Sequence, residues 1–200
     1  MTAEQPSLRD SVYPIDPQFI ARWSPRAFTA QAIDEQTLLS FFEAARWAPS
    51  SFNSQPWRFL YARRDSLHWQ RYLELLSPFN RSWAQQASAL VVVLSKTTIT
   101  GTSGNVRPAP FHTFDSGAAW AYLALQASLS GWHAHGLGGF DKALARQTLG
   151  IPGEYEVEIA LAIGKQADKQ VLPEDLQARE QPSPRLPLAQ LVSEGDFAWD

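Results

Sequence analysis

Arg22-Trp23-Ser24-Pro25-Arg26 sets one hydroxyl between two guanidinium groups. Two arginines and a serine offer charge-assisted hydrogen bonds to a phosphate, whose monoester carries nearly two negative charges. Their embedding beside Trp23 and Phe28 argues against a purely solvated pair. A helix's length downstream, residues 48–57 read APSSFNSQPW. Between Pro49 and Pro56, the hydroxyls of Ser50, Ser51 and Ser54 and the amides of Asn53 and Gln55 exceed what turn chemistry asks for. Such a set offers donors and acceptors to a flat heteroaromatic. Arg185, inside a late proline-rich arm, adds a further cation. Together these stretches point to a phosphorylated cofactor.

Other constellations are weaker. Gly136-Leu137-Gly138-Gly139-Phe140-Asp141 lets backbone approach a ligand closely, but it is not GxGxxG and reads more simply as a helix-capping turn. Ser50 or Ser51 with His112 and Asp115 would be a nucleophilic set, yet no G-x-S-x-G elbow surrounds either serine. His133 and His135 have no carboxylate cluster nearby in sequence, so no metal site is expected.

The elements that must position these groups follow from caps and periodicity. Asp16-Pro17 predicts an N-cap and first helical position, with Ile15 and Ile20 as a hydrophobic staple and an end before Ser24-Pro25. Asp34 repeats the device, and Leu38, Leu39, Phe41, Phe42 and Ala45 recur at helical spacing up to Pro49. Residues 59–62 read as a strand and 66–76 as a helix. Residues 89–94 form a uniformly apolar run, expected to be a central strand covered on both faces. Residues 97–110, rich in Gly, Thr, Ser and Pro, read as a long mobile loop. Asp115 is expected to cap a helix over 116–130, with Ala118, Ala119, Tyr122 and Leu125 suited to a helix–helix contact. A helix over 141–149 and a strand over 155–163 come next. Residues 165–187 hold four of the fourteen prolines and read as a surface segment, anchored near its end by Leu186, Leu188, Leu191 and Val192.

Composition fixes the frame. The 200 residues are 44% hydrophobic and 18% charged, which suits one globular domain with a real core. A net charge of −3 argues against a general nucleic-acid or anionic-membrane binder. With no cysteine there are no disulfides, thiolate metal sites or cysteine nucleophiles, and a cytoplasmic location is expected. The opening MTAEQPSLRD lacks the apolar core of a signal peptide. Eight Trp, eleven Phe and five Tyr suit a tryptophan-rich core, and also a stacking pocket or a dimer interface.

The run from Arg22 to Phe28, and the helix ending in Ala44-Ala45-Arg46-Trp47 before Pro49 to Trp57, strongly resemble the nitroreductase family of flavin enzymes. Phe79-Asn80, Val91-Val92-Val93, the Gly-Gly-Phe-Asp turn, Ile163-Gly164-Lys165 and Arg185-Leu186-Pro187 come in the same order. The match extends from Leu8 to Val192. The resemblance implies an α+β fold, with a central, mostly antiparallel sheet flanked by helices. It implies a single domain over 1–200 and an intertwined homodimer, with 165–200 as an arm extended onto the partner subunit. It also implies bound FMN, NAD(P)H as transient hydride donor, and a nitroaromatic, quinone or related small electrophile as acceptor. A flavin-storage or sensing protein is the alternative. By resemblance, Arg22, Trp23, Ser24, Arg26 and Arg185 hold the phosphate and ribityl end. Pro49, Ser50, Ser51 and Asn53 approach from the other subunit, Asn80 bonds the pyrimidine edge, and Gly138 and Gly139 lie near the reactive N5. Phe52 and Phe79 are expected to wall the substrate cleft, and no side chain is required as catalytic acid or base. Two departures stand out. Where many relatives have a basic residue after the asparagine, this chain reads Arg81-Ser82-Trp83; where some have glutamate, it has Gly138.

Overall fold

The computed structural model describes residues 9–101 and 103–199; Leu8, where the family resemblance begins, most of the N-terminal decapeptide and Asp200 lie outside them. Helix α1 (Pro17–Ala21) starts as expected: the Asp16 carboxylate accepts the Gln18 N–H at 3.0 Å, and Pro17 sits at the first position. Arg22 ends it with extended backbone, φ −65° and ψ 123°. Helix α2 (Glu35–Arg46) is capped by Asp34, which accepts the Thr37 N–H at 2.8 Å. It buries Leu38, Phe41 and Ala45 along one stripe and leaves Leu39 exposed.

Strands β1 (Trp57–Arg63), β2 (Ala89–Lys96), β5 (His133–Leu137) and β6 (Tyr155–Gly164) form one antiparallel sheet in the order β1-β2-β6-β5. The apolar 89–94 run is central and covered on both faces, as its sequence requires. Leu90, Val92 and Leu94 face one core with Trp83, Leu137 and Ala160, while Ala89, Val91 and Val93 face another with Phe41, Leu123 and Leu161. The second core is closed by α2 and by α5 (His112–Leu129), the first by α3 (Trp69–Glu74) and α4 (Pro78–Ala84). Helix α6 (Lys142–Leu149), capped by Asp141 and ended by Gly150 at φ 64°, completes the body.

Several expectations need correction. The 97–110 segment is not simply a loop: β3 (Thr98–Thr100) pairs with β4 (Val106–Pro108) in a separate ribbon. The 66–76 helix is reduced to α3 by tight turns at its start. Helix α5 begins four residues before Ser116, so Asp115 lies inside its first turn and does not cap it. Of the residues suited to a helix–helix contact on α5, within the subunit or between subunits, Ala119 is fully buried in its own chain while Tyr122 is exposed on it. Helix α4 and strand β5 carry no period that the sequence reading recognised, being short and interrupted by polar residues.

The late segment also differs from a purely surface path. Phe28 bridges to Gln166, the Ala167 N–H donates to Ala27 O at 2.9 Å, and Leu172 and Leu176 enter the first core beside α7 (Glu174–Gln177). From Pro184 onward the chain is loosely engaged. Leu186, Leu188, Leu191 and Val192, expected to anchor the end, remain largely exposed. The first three of these line a groove of about 450 Å³ with Val12, Tyr13 and Phe19.

Candidate functional site

Pro25 keeps Ser24 out of the helical region, so the chain turns sharply after α1 and lays Arg22, Ser24 and Arg26 along one wall. The Arg22 Nη1 donates to Ser24 Oγ at 3.2 Å. The tail adds Arg179 and Arg185 to the lining of the same cavity, and the N-terminal segment adds Arg9. Five arginines thus line one cavity of about 210 Å³, with Trp23 and His135 at its edge. The nearest carboxylate among the described residues, Glu180, is largely committed. Its Oε1 accepts the backbone N–H groups of Arg26 at 2.6 Å and Ala27 at 2.8 Å, while its Oε2 stands 3.9 Å from Arg26 Nη1.

The electrostatics match this count. Burial, then the neighbouring Arg9 and Arg185, hold the Arg22 pKa below its ordinary value. Burial and Arg179 do the same to Arg26, against the pull of Glu180. Arg26 Nε is buried with no hydrogen-bond partner among the described residues. Glu180 Oε2 is likewise buried without a hydrogen-bond partner, so the Arg26–Glu180 pair is close but not hydrogen-bonded side chain to side chain. His135 Nδ1 lies 2.9 Å from Pro25 O, which assigns its proton to that nitrogen. Burial lowers its pKa below 6.5, with Arg26 and Arg22 adding to the effect, so the ring is neutral at neutral pH.

His135 stands on β5, and the strand leads from the arginine cavity to Gly138 and Gly139, roughly 10–13 Å away at about 3.3 Å per extended residue. There the second cluster forms. Ser77 caps α4, and the Asn80 Nδ2 donates to Gly139 O at 2.9 Å, an oxygen that also accepts the Ser77 N–H at 3.0 Å. A Cβ on Gly139 would stand 2.7 Å from Asn80 Nδ2, so only glycine allows this approach, whereas a Cβ on Gly138 would meet nothing within 4 Å. Phe79, half exposed, is the neighbour of Asn80 on α4. Alongside β5, an open concavity of about 530 Å³ shares Arg22 and Ser24 with the arginine cavity and has Trp120, Ala124 and Ile159 in its walls.

The 49–55 loop forms a third group. It lines neither the arginine cavity nor the Asn80–Gly139 cluster of its own chain. Phe52, Asn53 and Gln55 all have positive φ, at 53°, 52° and 48°. Each such conformation costs about 1–3 kcal/mol and persists only where its surroundings impose it. Three contacts do so here. Ser50 Oγ accepts the Gln55 N–H at 3.0 Å, Asp115 Oδ2 accepts the Ser51 N–H at 3.0 Å, and the Gln55 Nε2 donates to Asn53 O at 2.9 Å. Phe52 itself is 81% exposed, with the Arg107 guanidinium 4.9 Å from its ring centroid.

The structure therefore gathers Arg22, Trp23, Ser24, Arg26 and Arg185 in one place and Asn80, Gly138, Gly139 and Phe79 in a second. Pro49, Ser50, Ser51, Phe52 and Asn53 lie in a third. It adds Arg9 and Arg179, which carry no local motif, and gives new places to His135, considered above with His133 for a metal, and Asp115, considered as a helix cap. Arg81, at the position in question for a basic group, donates from Nη2 to Glu74 O at 3.2 Å and Leu76 O at 3.1 Å. Trp83 is core, its ring centroid 4.8 Å from that of His135. The serine–histidine alternative finds no support: His112 Nδ1 meets Ser95 Oγ at 2.6 Å, and Asp115 is engaged with the Ser51 backbone. No cluster of three potential metal ligands occurs among the described residues.

The sequence model of the Nitroreductase family matches residues 20–92. A crystal structure described as an oxidoreductase containing FMN is 46% identical, covers 98% of this chain and 99% of its own, and superposes with a TM-score of 0.94. The chain belongs to the nitroreductase family. A Thermus thermophilus protein named NADH dehydrogenase is 28% identical over 86% of this chain and 92% of its own length. A nitroreductase family protein from Streptococcus pneumoniae, 20% identical over 89% of this chain and 98% of its own, has a TM-score of 0.71 and shares the fold.

Proposed function

We propose that the protein is an FMN-dependent NAD(P)H oxidoreductase acting as a homodimer. The observation that carries this reading is the arginine cavity: five guanidiniums line it, and the one carboxylate paired with any of them among the described residues is Glu180, beside Arg26. That donor set suits a phosphate dianion, and the 46%-identical relative is described as containing FMN. Arg22, Ser24, Arg26 and Arg185 hold the phosphate, with Trp23 beside them. At the far end of β5, Asn80 and the open backbone at Gly138 and Gly139 meet the ring.

When bound, FMN would supply ping-pong hydride chemistry between NAD(P)H and a nitroaromatic, quinone or related small electrophile. The chain's own residues bind and orient. Pro49, Ser50, Ser51 and Asn53 serve the site of the partner subunit, which explains why this strained loop faces outward from its own body. Phe52 and Phe79 wall the substrate cleft, and no side chain is assigned as general acid or base. Exposed Phe114, Tyr122 and Leu129 on α5, with the apolar residues from Leu186 to Val192, form the dimer surface. The segment 165–200 supplies the arm: its start is fastened to its own chain, and its end reaches the partner. Among the described residues no helix is long and apolar enough to cross a membrane, and the absence of cysteine suits the cytoplasm.

The test is the absorbance spectrum of the purified protein before and after anaerobic NADPH, then steady turnover with an added quinone. A yellow protein bleached by NADPH and reoxidised by the quinone is expected. A yellow protein that NADPH leaves unchanged would make it a flavin store, and a colourless protein that takes up no FMN would end the reading.

A further inference from the structure

Between Lys96 and Asp115 the chain carries one charged side chain apart from His112, and that is Arg107. It stands on the β3–β4 ribbon, to which the flavin site gives no role. We infer that Arg107 is a specificity-determining residue for the hydride donor, its guanidinium receiving the phosphate oxygens of a nicotinamide dinucleotide at the mouth of the cleft that Phe52 walls. The cleft and the class of donor rest on the function proposed above; the residue that selects the donor's charged end is new.

The fold fixes both members of the Arg107–Phe52 pair. Arg107 is paired in register with Ile99, and the ribbon's turn is closed by the Gly101 N–H on Asn105 O at 2.9 Å. At the base, the Ala109 N–H donates to Thr97 O at 2.8 Å and the Thr97 N–H donates to Glu154 O at 2.9 Å. Ala109 is buried, and α5 starts three residues later at His112. The first turn of α5 carries Asp115, which accepts the Ser51 N–H and so holds the strained loop whose next residue is Phe52. A single circuit of ribbon, helix and loop therefore brings the Arg107 guanidinium to 4.9 Å from the Phe52 ring centroid.

That contact orients the cation without consuming its hydrogen bonds. A phenyl face attracts a guanidinium but offers neither net charge nor a carbonyl, so the N–H donors stay unspent. Among the described residues Arg107 forms no ion pair and no side-chain hydrogen bond, and its side chain is exposed. The carboxylates at this end of α5 are engaged elsewhere, Asp115 with Ser51 and Glu158 with Thr113 Oγ1 at 2.8 Å. Arg58, the other arginine beside the loop, is spent as a brace: its Nη1 donates to Gln55 O at 3.0 Å and Trp57 O at 2.7 Å. One arginine holds the loop in shape, and the other presents a charge beside its aromatic tip.

The two kinds of substrate differ in what they offer that charge. A nitroaromatic or a quinone need carry none. Every nicotinamide dinucleotide carries a diphosphate beyond its nicotinamide ribose, and NADPH adds a phosphate on the adenosine ribose. With the nicotinamide stacked in the cleft, these groups lie toward the open end, where the Arg107–Phe52 pair stands. A planar guanidinium matches phosphate oxygens bidentately, and an exposed cation at a rim also steers an anion inward.

Stopped-flow reduction of the holoenzyme tests this with three donors: NADH, NADPH, and N-benzyl-dihydronicotinamide, which has the same hydride-donating ring and no phosphate. In Arg107→Gln the second-order rate constant for both nucleotides is expected to fall about tenfold, the worth of one charge-assisted hydrogen bond. The phosphate-free donor should react as with the parent, and Arg107→Lys should recover part of the loss. Calorimetric titration with NAD+ and NADP+ should show the same weakening without turnover. Equal losses for the two nucleotides assign the contact to the diphosphate, and a loss with NADPH alone assigns it to the phosphate on the adenosine ribose. Unchanged rates and affinities for both nucleotides would overturn the inference while the flavin function stands. An equal loss with the phosphate-free donor would overturn it too, leaving Arg107 as a brace for Phe52. Reoxidation by para-nitrobenzoate and by nitrobenzene should not distinguish the variants, and a loss confined to the anionic acceptor would overturn the assignment to the donor. A parent protein that none of the three donors reduces would remove the proposed function, and this inference with it.

Discussion

Adjacent glycines at the end of β5 should respond in opposite ways to the same added methyl. In Gly139→Ala the new Cβ would stand 2.7 Å from Asn80 Nδ2 and 3.1 Å from Ser77 Oγ, both shorter than an ordinary contact. Asn80 is held within α4 and is only 8% exposed, so it cannot swing into solvent without leaving Gly139 O. Overpacking of this kind costs about 1–3 kcal/mol. Loss of the Asn80 bond adds about 1 kcal/mol. For a chain of this length the sum lowers the melting temperature by roughly 4–16 °C. It also displaces the amide assigned to the flavin pyrimidine edge, so FMN should bind about tenfold more weakly, the equivalent of one hydrogen bond of about 1.4 kcal/mol. Gly138→Ala meets nothing within 4 Å and should leave the melting temperature of the flavin-free chain unchanged. Thermal unfolding and flavin-fluorescence titration of the two variants test both halves. Equal damage at the two positions, or an undamaged Gly139→Ala, would refute the packing argument.

Three other contacts give outcomes of their own. A Cβ on Gly164 would stand 2.6 Å from the Phe28 ring, so Gly164→Ala should destabilise by about 1–3 kcal/mol, and Phe28→Leu in the same chain should recover part of the loss; additive damage in the double variant would contradict the clash. Asp115→Ala leaves the Ser51 N–H without its acceptor and should cost about 1–3 kcal/mol, with Asp115→Asn nearer to the parent because an oxygen remains. Chemical denaturation compares the two, and indistinguishable variants would mean that the carboxylate does not hold the loop. The folded-state pKa of His135 lies below its ordinary 6.5, so its neutral form stabilises the fold fully above that pH and the contribution fades as pH falls below it. Melting temperatures of the flavin-free chain on either side of that pH, near neutrality and in mild acid, should therefore diverge less in His135→Gln than in the parent. An unchanged divergence would remove the histidine from the account.

Legibility in the sequence was local. Asp16 and Asp34 each cap a helix because the signal is a carboxylate beside the N–H groups it serves, two or three residues away. The Arg22–Ser24–Arg26 wall is likewise contained in five residues, with Pro25 forcing the turn. Asp115 misled for the same reason. It resembles a cap, but the helix starts earlier and the carboxylate serves Ser51, 64 residues back, which no local rule reports. The 97–110 stretch concealed a ribbon because three-residue strands carry too little periodicity to register.

The arginine cavity marks where local reading stops. Arg179 stands in a polar, proline-rich segment that reads as surface, and its sequence neighbourhood gives no reason to think otherwise. Its place in the site depends on Leu172 and Leu176, two apolar side chains that pull the segment into the core and aim the next few residues at the turn after α1. Glu180 then fixes that approach by accepting two consecutive backbone N–H groups, at Arg26 and Ala27. Accepting backbone N–H groups leaves the Glu180 charge in place, but that charge is one, and it stands beside Arg26. The same short run of tail therefore adds Arg179 and Arg185 to the cavity and a single counter-charge against them, and that is the physical reason the site calls for an anion from outside the chain.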